Sequence, residues 1–514
     1  MRREFTTPRA AAAATRVSGG LGSAPAGARN RPARPVLAVI LACCAWLTAS
    51  PAARGDPIQP SAQPRPEPNP VSTPRAQPQP LDPVIADLEE RTFRFFWETA
   101  NPDNGLVPDR YPTPRFASIA AVGFGLTAYP IGVERGYISR AAARERVLAT
   151  LRFFAHETNQ HGFFHHFIDM RTGARANDSE VSTVDTALLL GGVLFCQSYF
   201  DSQESQELEI RKLADEIYRR VDWTWAQPRG PGIALAWTPE EGFSRDDWQG
   251  YNEAMIVYLL ALGSPTHPVG ERAWTQWTRT YNRYWGTLYG ETHLTFAPLF
   301  GHQYTHVWVD FRGIRDAYMR AHDLDYFENS RRATYAERRY AIANPMHWQA
   351  YGENVWGLTA CDGPGPARQR YDGAERRFFK YAARGVGLDR IIVDDGTIAP
   401  TAAVSSLPFA PEIVLPATLE MYHRFGAPLY STYGFRDAFN PSFRSPPKSQ
   451  SPAPEQSPAG WVDPDYLGID QGPIVAMIEN YRSDLVWRVM RGNAYLRRGL
   501  ERAGFQGGWL GQPR

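Results

Sequence analysis

The sequence predicts an all-α protein, an (α/α)6 toroid built from about a dozen helices in sequential pairs. Apolar segments rich in Gly and Ala alternate along the chain with amphipathic segments that carry one charged face. An inner ring of helices buried on every side, and an outer ring with one side in water, produce such an alternation. The sequence contains no βαβ pattern and no glycine-rich phosphate loop. Periodicity alone also fits an irregular helical domain.

The N-terminal part of the chain is predicted to be a targeting segment. Three arginines within 29–34 precede an apolar run at 36–47, which is too short to span a membrane and is typical of a signal peptide. We therefore assign residues 1–54 to an N-terminal extension with a signal peptide and expect a periplasmic or secreted protein without a transmembrane anchor. The alternative is a lipoprotein, since the box at 40–43 would place a lipid anchor on Cys43.

Residues 55–81 form a Pro-rich linker, and the folded domain is predicted to cover 82–505. Helices are expected at 82–99, 116–129, 139–156, from 181 onward, and at 205–223, 248–262, 270–285, 306–322, 326–343, 375–384, 411–425, 470–482 and 483–503. The first of these is amphipathic, with apolar residues on spacings of three and four: Ile85, Leu88, Phe93, Phe96 and Trp97. Extended pieces at 162–167 and 292–296 are expected as hairpins in loops, and 445–459 is a Pro/Ser-rich insertion, expected as a disordered loop or a lid.

The composition excludes some classes of function. Lys and Arg number 55 against 54 Asp and Glu, so no basic surface indicates a nucleic-acid partner. The 15 Trp, 24 Tyr and 26 Phe supply flat rings that could stack on a ligand. Cysteine and histidine show no metal-site spacing, and we expect neither a metal nor a cofactor. Cys196 lies in an apolar helix and is expected to be a buried thiol.

The stretch 177–190 combines a polar front with an apolar helix and carries three carboxylates in eight residues. Ser182 or Thr183 can cap the helix, and Asp185 lies in its first turn, where the helix dipole favours a negative charge. We expect the loss of Asp185 mainly to reduce stability. Asp178 and Glu180 precede the helix, where they could meet a ligand at the rim of the ring. The alternative is that all of these acids only satisfy a helix start.

A second carboxylate begins the next apolar segment. Trp248, Tyr251 and Asn252 precede Glu253 there. Asn252 could cap the helix and leave Glu253 in the first turn, facing the cavity opposite Glu180. The alternative is a glutamate that only matches the helix dipole.

Further polar and aromatic residues stand where other helices are expected to begin. At 301–312 the chain is dense in hydrogen-bonding groups, although Asp310 and Arg312 could also be a structural pair, and the histidines are spaced too irregularly for a metal site. The candidate substrate-binding residues are Trp248, Tyr251, Asn252, Gln303, Tyr304, His306, Asp310, Arg312, Glu353, Trp356, Asp362, Phe409, Glu412, Asp470 and Gln471.

Carboxylates and aromatic rings at one rim, without a cofactor motif, favour glycoside cleavage. That chemistry needs one protonated acid for the leaving oxygen and one carboxylate for water or the sugar. Aromatic rings stack on sugar faces, while amides, guanidinium groups and carboxylates bind hydroxyls.

Four segments resemble the bacterial glucoamylase-like family: EVSTVDTA at 180–187, GYNEAMI at 250–256 with GSPTHP at 263–268, WGLTA at 356–360 and GIDQGP at 468–473. The likeness covers about 82–502. Characterised members of that family form glycoside hydrolase family 144, the endo-β-1,2-glucanases, and a related domain occurs in cyclic β-1,2-glucan synthases. The insertion at 445–459 departs from the family.

The resemblance implies an (α/α)6 barrel, an exported enzyme, no cofactor, and hydrolysis of β-1,2-glucan to short sophoro-oligosaccharides with inversion. It carries over Glu180 and Glu253 as the catalytic acids, with Asp178 as a supporting candidate, and leaves open which is acid and which is base. Two alternatives remain: a transglycosylase or trimming enzyme for periplasmic glucans, and a non-catalytic glycan-binding protein on the same scaffold. A polysaccharide lyase is disfavoured because the near-neutral chain offers no basic groove for uronic acids.

Overall fold

Six helices line the centre of the fold in the part of the chain that this computed structural model describes, residues 81–157, 159–388, 392–444 and 457–511. They alternate along the chain with helices that have one exposed face. The helices are α1 (Pro83–Thr99), α2 (Ile119–Arg135), α3 (Arg140–His156), α4 (Thr183–Tyr199), α5 (Ser205–Arg220), α6 (Met255–Gly263), α7 (Arg272–Thr278), α8 (Tyr281–Tyr284), α9 (Tyr304–Trp308), α10 (Ala317–Ala321), α11 (Tyr326–Ala343), α12 (Pro400–Val404), α13 (Pro411–Leu429), α14 (Gly468–Ser483), α15 (Leu485–Met490) and α16 (Ala494–Arg502).

The inner ring consists of α2, α4, α6, α9, α12 and α14, and hydrogen bonds near the helix starts connect neighbours. Thr305 in α9 donates to the Glu253 carbonyl at 3.2 Å, just before α6. Gln303, before α9, donates to the Ala402 carbonyl in α12 at 2.7 Å, and Thr401 in α12 donates to the Asp470 carbonyl in α14 at 3.0 Å. The amino ends of these helices therefore meet at one end of the ring, which we call the mouth. The other end is the far end.

Two glycines explain the close approach of α2 and α4. A Cβ added to Gly123 would lie 2.3 Å from the Leu188 carbonyl oxygen, and one added to Gly192 would lie 2.1 Å from the Gly123 oxygen. Any larger side chain would force the helices apart, because both obstacles are backbone atoms. The Gly- and Ala-rich composition of the apolar segments thus reflects helix-to-helix contact inside the ring.

Short antiparallel pairs of strands form the loops between the helices. The strands are β1 (Arg110–Tyr111), β2 (Ala117–Ser118), β3 (Phe167–Ile168), β4 (Val181–Ser182), β5 (Ala236–Thr238), β6 (Gly242–Phe243), β7 (Trp285–Leu288), β8 (Glu291–Leu294), β9 (Ala360–Cys361), β10 (Ala367–Tyr371), β11 (Ala374–Phe378), β12 (Ala382–Ala383), β13 (Gly385–Val386), β14 (Ile392–Val393), β15 (Tyr430–Ser431), β16 (Gly434–Phe435), β17 (Phe439–Asn440), β18 (Trp461–Val462) and β19 (Tyr466–Leu467). Several join distant loops, as β1 with β19 and β2 with β3. Strand β3 follows His166 and so places that residue beside the start of α2.

The predicted (α/α)6 toroid is confirmed, and most predicted helices are present. The predicted helix at 375–384 is wrong: this region contains strands β11 and β12. Strands β10 and β11 form a hairpin whose turn has Asp372 at φ 47° and Gly373 at φ 75°. Asp-Gly is the preferred pair for such a two-residue turn, so the signal was present in the sequence.

Four other predicted helices are interrupted or start late. The one at 270–285 is divided into α7 and α8, and strand β7 begins at Trp285. The helix expected at 306–322 is two short helices, because Asp310 accepts the backbone N–H of Arg312 in a turn and Gly313 has a φ of 73°. The one at 483–503 is divided at Asn493, whose side chain caps α16. The one at 248–262 begins only at Met255, because Asn252 accepts the N–H of Ala254 in the preceding loop.

Both cysteines of the folded part are buried and unpaired, and Cys196 contacts the Leu126 carbonyl at 3.1 Å. In the described residues, no helix has the length and apolar character needed to span a bilayer. The predicted signal segment with Cys43, the linker up to residue 80 and most of the insertion, 445–456, lie outside the described residues.

Candidate active site

The loops that lead into the inner helices interlock at the mouth. Ile119, at the start of α2, donates its N–H to the His166 carbonyl at 3.2 Å, and Gly468, at the start of α14, donates to the Asp109 carbonyl at 2.8 Å. Ser182 caps α4, accepting the N–H of Asp185 at 3.2 Å, as one of the two expected caps. Acidic side chains carried by these loops and first turns are therefore brought together.

Glu180 forms an ion pair with a histidine that the sequence analysis did not select. The Nδ1 atom of His166 lies 2.9 Å from Oε1 of Glu180, and its Nε2 atom lies 3.7 Å from Oδ1 of Asp185. Burial lowers the pKa of His166, but the charges of Asp185 and Glu180 outweigh burial and raise it to about 9. Burial raises the pKa of Glu180, but the charge and hydrogen bond of His166 outweigh it and lower the pKa. Glu180 is consequently ionised, and His166 is protonated, at neutral pH.

Glu253 has the opposite electrostatic environment. The residue is 7% exposed, and its Oε2 atom has no hydrogen-bond partner. Burial, with a contribution from the charge of Asp185, raises the pKa of Glu253 to about 7. A fraction of the molecules therefore holds a proton on Glu253 at neutral pH.

A second group of carboxyl groups, the acid cluster, consists of Asp362, Asp437, Asp463 and Asp470. The Asp362 N–H donates to Oδ2 of Asp437 at 2.8 Å, and Nη1 of Arg110 donates to Oδ2 of Asp362 at 2.6 Å. Burial raises the pKa of Asp463 to about 9 and that of Asp470 to about 7, and it raises the pKa of Asp437 well above its usual value. Repulsion from Asp362 contributes in all three.

Tyr304 connects these two regions. Burial raises its pKa, and the charges of Asp470, Glu253 and Asp437 raise it further. Its hydroxyl therefore lies within electrostatic range of Glu253 on one side and of the acid cluster on the other. The mouth thus combines four kinds of group. They are the ionised carboxylate of Glu180, the protonatable carboxyl group of Glu253, the phenol of Tyr304 and the acid cluster.

Of the residues selected from the sequence, several are at or next to the mouth: Glu180, Glu253, Asn252, Tyr304, Asp362 and Asp470. Asp178 is an exposed residue with φ 53°, and its carbonyl accepts a hydrogen bond from Arg175 at 2.8 Å. Its position in the rim loop agrees with the expectation, although its role stays a prediction.

A second set is buried in the packing of the ring. Trp248 donates its indole N–H to Thr183 at 2.9 Å, Tyr251 stacks on Tyr326, and His306 contacts Ser330 at 3.1 Å. The others are Gln303, which binds Ala402 and Ser406, Gln471, which donates to the Phe435 carbonyl, and Trp356 and Phe409, both at most 2% exposed. Each of these contacts holds a loop or helix in place.

Four selected residues lie away from the mouth. Arg312 donates to Asp310 at 2.7 Å and lies 3.2 Å from Asp484, which follows the last residue of α14. Asp470 is in the first turn of the same helix, so about 21 Å of helix separates the two ends. Asp310 and Arg312 therefore lie at the far end of the ring. They form a structural pair, which was the alternative prediction from the sequence.

The remaining two acids are on the surface. Glu412 is in the first turn of the outer helix α13 and pairs with Arg331 at 2.6 Å. Glu353 pairs with Arg338 at 2.6 Å, and 70% of its side chain is exposed. Neither contacts the groups at the mouth.

Five residues at the mouth were not predicted from the sequence: His166, Asp109, Arg110, Asp437 and Asp463. All five belong to loops that lead into an inner helix, which is where functional residues were expected. No spacing rule identified them, because strand pairing across distant loops brings them together.

Two trios of side chains present their ligand atoms within 4.8 Å of one another: His166, Glu180 and Asp185, and Asp362, Asp437 and Asp463. The first trio contains its own cation when His166 is protonated, so its negative charge is partly neutralised. The second trio contains only carboxyl groups.

Comparisons with known proteins place the chain among carbohydrate-active relatives. A family model described as "Putative glucoamylase" matches residues 245–494. A protein of that description from Bacteroides uniformis ATCC 8492 has a crystal structure that is 32% identical and covers 83% of this chain and 98% of its own, with a TM-score of 0.71. The endo-beta-1,2-glucanase from Chitinophaga pinensis, solved with sophorotriose and glucose, is 29% identical over 83% of this chain and 99% of its own, with a TM-score of 0.72.

A curated relative from Parabacteroides distasonis is named exo beta-1,2-glucooligosaccharide sophorohydrolase (non-reducing end). It is 30% identical over 447 residues, which are 81% of this chain and 57% of the relative. The chain therefore spans little more than half the length of that protein.

Proposed function

The chain belongs to the glucoamylase-like family, and on that premise we propose that it is a glycoside hydrolase that cleaves β-1,2-glucan to short sophoro-oligosaccharides. Two relatives carry names that support this substrate: the exo-acting sophorohydrolase and the endo-acting glucanase. One relative cleaves at chain ends and the other within the chain, so the property that they share is the β-1,2 linkage of the substrate. We therefore propose the linkage and leave the position of cleavage to the product assay below.

One observation carries the proposal: two glutamates at the mouth have opposite pKa shifts. Burial raises the pKa of Glu253 to about 7, whereas His166 holds the pKa of Glu180 below its ordinary value. A pair of carboxyl groups with pKa values pushed apart is the arrangement by which glycosidases separate the acid from the base. Glu253 is then the general acid, and Glu180 is the ionised partner.

In the proposed reaction, the carboxyl group of Glu253 transfers its proton to the oxygen of the scissile glycosidic bond. The bond between that oxygen and the anomeric carbon breaks, and the leaving sugar departs as an alcohol. A water molecule attacks the anomeric carbon from the opposite face, and Glu180 accepts a proton from that water directly or through a further hydroxyl. The product is a reducing sugar of inverted configuration. Asp178, in the same rim loop, is the supporting candidate.

The other polar groups at the mouth are proposed to bind the glucan. Carboxylates of Asp362 and Asp470 can accept hydrogen bonds from sugar hydroxyls, and Tyr304 offers a ring and a hydroxyl between them and Glu253. We further propose that the protein acts in the periplasm or outside the cell. The apolar run at 36–47 and the Pro-rich linker support export, with a lipid anchor at Cys43 as the alternative.

Incubation with linear β-1,2-glucan tests the proposal, with β-1,3-glucan and starch as control polymers. We expect short sophoro-oligosaccharides from the first polymer only. Proton NMR during the first minutes should show new reducing ends of the α configuration, since an inverting enzyme acts on a β linkage. Lengthened or cyclised chains would indicate a transglycosylase instead, and binding without any product would indicate a glycan-binding protein.

A further inference from the structure

The aromatic residues that were selected from the sequence are almost fully buried. Trp248, Tyr251, Trp356 and Phe409 are at most 4% exposed, and Tyr304 is 5% exposed. Stacking on a sugar needs a flat apolar ring face that the ligand can reach. Most of that surface at the mouth therefore has to come from other aromatic residues.

Two phenylalanines at the rim of the mouth are only partly buried. Phe116 immediately precedes strand β2, and Phe167 is the first residue of strand β3. Ser118 of β2 pairs with Phe167, and side chains two residues apart on a strand point to the same face. Phe116 and Phe167 consequently share one face of this short sheet, and their ring centroids are 4.4 Å apart. We call these two residues the aromatic wall.

Asp109 shows that this face is directed into the mouth. Its N–H donates to the Phe116 carbonyl at 2.9 Å, and the neighbouring residues form an antiparallel bridge, so Asp109 lies opposite Phe116. Opposite residues of an antiparallel pair carry their side chains on the same face. The carboxyl group of Asp109 is within electrostatic range of His166 and Asp362, which both belong to the mouth. Phe116 is therefore directed to the same side as these groups.

The aromatic wall leads from the rim to the ion pair of His166 and Glu180. The ring centroids of His166 and Phe167 are 3.7 Å apart, with 21° between the ring planes. Nδ1 of His166 in turn contacts Glu180 at 2.9 Å. The rings of His166, Phe167 and Phe116 thus follow one another outward from the carboxylate that we assign as the partner of the general acid. A sugar chain that reaches Glu180 passes along these rings.

We propose that Phe116 and Phe167 bind one sugar ring of the glucan by stacking, beside the ring whose bond is cleaved, and that Asp109 binds a hydroxyl of the same sugar. This subsite rests on the proposed hydrolysis of β-1,2-glucan. A sugar ring has an apolar face and a polar edge, which matches phenyl rings next to a carboxyl group. A purely apolar occupant would cover the carboxyl group of Asp109 without offering it a hydroxyl, which is costly.

Three variants of Phe116 test the aromatic wall. Phe116→Ala removes the ring, Phe116→Leu keeps apolar bulk without a flat face, and Phe116→Tyr keeps the ring. In the Ala and Leu variants, KM for linear β-1,2-glucan should rise about two- to tenfold with kcat little changed, because the lost contact is made equally by substrate and transition state. Phe116→Tyr should keep a KM near that of the wild type. Phe116→Leu carries the test if Phe116→Ala does not fold.

Phe327→Ala is the matched control. Phe327 is also partly exposed, but it lies 5.9 Å from the guanidinium group of Arg312 at the far end. Its loss removes a ring of the same type away from the mouth, so KM for the glucan should stay at the wild-type value.

A different result is expected if the two rings only shield the ion pair from water. Phe116→Ala would then leave KM unchanged and move the acidic limb of the pH–rate profile, because solvation changes the pKa values of His166 and Glu180. That outcome, or a Phe116→Tyr variant as impaired as Phe116→Ala, would overturn the proposal. Cleavage of the glucan with unchanged KM in the Ala and Leu variants would overturn the aromatic wall alone. A wild type that leaves β-1,2-glucan uncleaved would overturn the proposed function and the aromatic wall together.

Discussion

His166 Nδ1 lies 2.9 Å from Oε1 of Glu180, and the two side chains carry opposite charges at neutral pH. The contact joins residues from two loops that precede α4, and backbone pairing fixes it, since the N–H of His166 also donates to the Glu180 carbonyl at 2.9 Å. His166 therefore sets the charge of the carboxylate that we assign as the partner of Glu253.

Replacement of His166 by Asn should shift the acidic limb of the pH–rate profile upward. Without the imidazolium, the two largest influences that lower the pKa of Glu180 are lost while burial still raises it, so the ionised form is reached only at higher pH. The measurement is kcat/KM on β-1,2-glucan between pH 4 and 8. His347→Asn is the matched control, because the His347 side chain is 72% exposed and pairs with Asp372, not with Glu180. Identical profiles for His166→Asn and wild type would contradict the role of the pair.

The same pair should give a pH-dependent difference in stability between wild type and His166→Asn. The folded pKa of His166, about 9, exceeds its ordinary value of 6.5, so its contribution is complete below pH 6.5 and is lost as pH rises through about 9. The lowered pKa of Glu180 contributes stability above its ordinary value of 4.5 and loses it as pH falls through the folded pKa. Urea unfolding should show the largest difference at pH 4.5–6.5 and a smaller one near pH 9.

Asp185→Asn should lower the pKa of His166. From the sequence, Asp185 was expected to act mainly on stability, but after burial it is the leading influence on the pKa of His166 and lies 3.7 Å from its ring. The amide keeps an oxygen for the 2.5 Å hydrogen bond from Ser182, so the helix cap should survive. NMR titration of the His166 ring would show the shift. If Asp185→Asn lowers the Tm but leaves the pKa of His166 unchanged, Asp185 has only a structural role and the prediction is wrong.

Arg384→Met should be among the most destabilising single changes in the loops at the mouth. Arg384 and Asp395 form an ion pair at 2.7 Å in which both side chains are fully buried. Removal of one partner leaves a buried charge, which typically costs about 3–5 kcal/mol of unfolding free energy. Arg368→Met is the control, because the Arg368–Glu375 pair is exposed and should contribute about 0–1 kcal/mol. Chemical denaturation measures both, and equal effects would contradict the expectation.

The sequence predicted the parts of the fold that depend on local pattern. The bounds of α11 were predicted without error, because an Asp cap precedes a long amphipathic run. The helix at 375–384 was wrong because charged residues that alternate on a hairpin resemble a helix face, and the Asp372-Gly373 turn was overlooked. Local signals also placed Glu180 and Glu253 at helix starts.

The sequence could not show which loops would meet. His166 is brought to Glu180 by backbone pairing across 14 residues, and Asp437 approaches Asp470 only through the closed ring. Asp310 and Arg312 have the composition of a sugar-binding segment, but they follow the end of α9 and so lie at the far end. A residue is a candidate for the active site only if it lies at the amino end of an inner helix. That position depends on where each helix begins and ends.

Glu253 is proposed to supply the proton to the leaving sugar. In the wild type, kcat/KM on β-1,2-glucan should fall as pH rises through about 7, since the acid then loses its proton. Glu253→Gln should abolish this alkaline limb, because the amide does not titrate there.

The most direct measurement compares Glu253→Gln with wild type on two substrates: β-1,2-glucan and an aryl β-sophoroside whose dinitrophenolate leaves without protonation. On the glucan, kcat should fall roughly 10²–10⁴-fold with KM little changed, since a general acid typically contributes that factor. On the aryl substrate, the variant should keep most of the wild-type rate. Equal losses on both substrates, or near-normal turnover of the glucan, would contradict the assignment of Glu253 as the general acid.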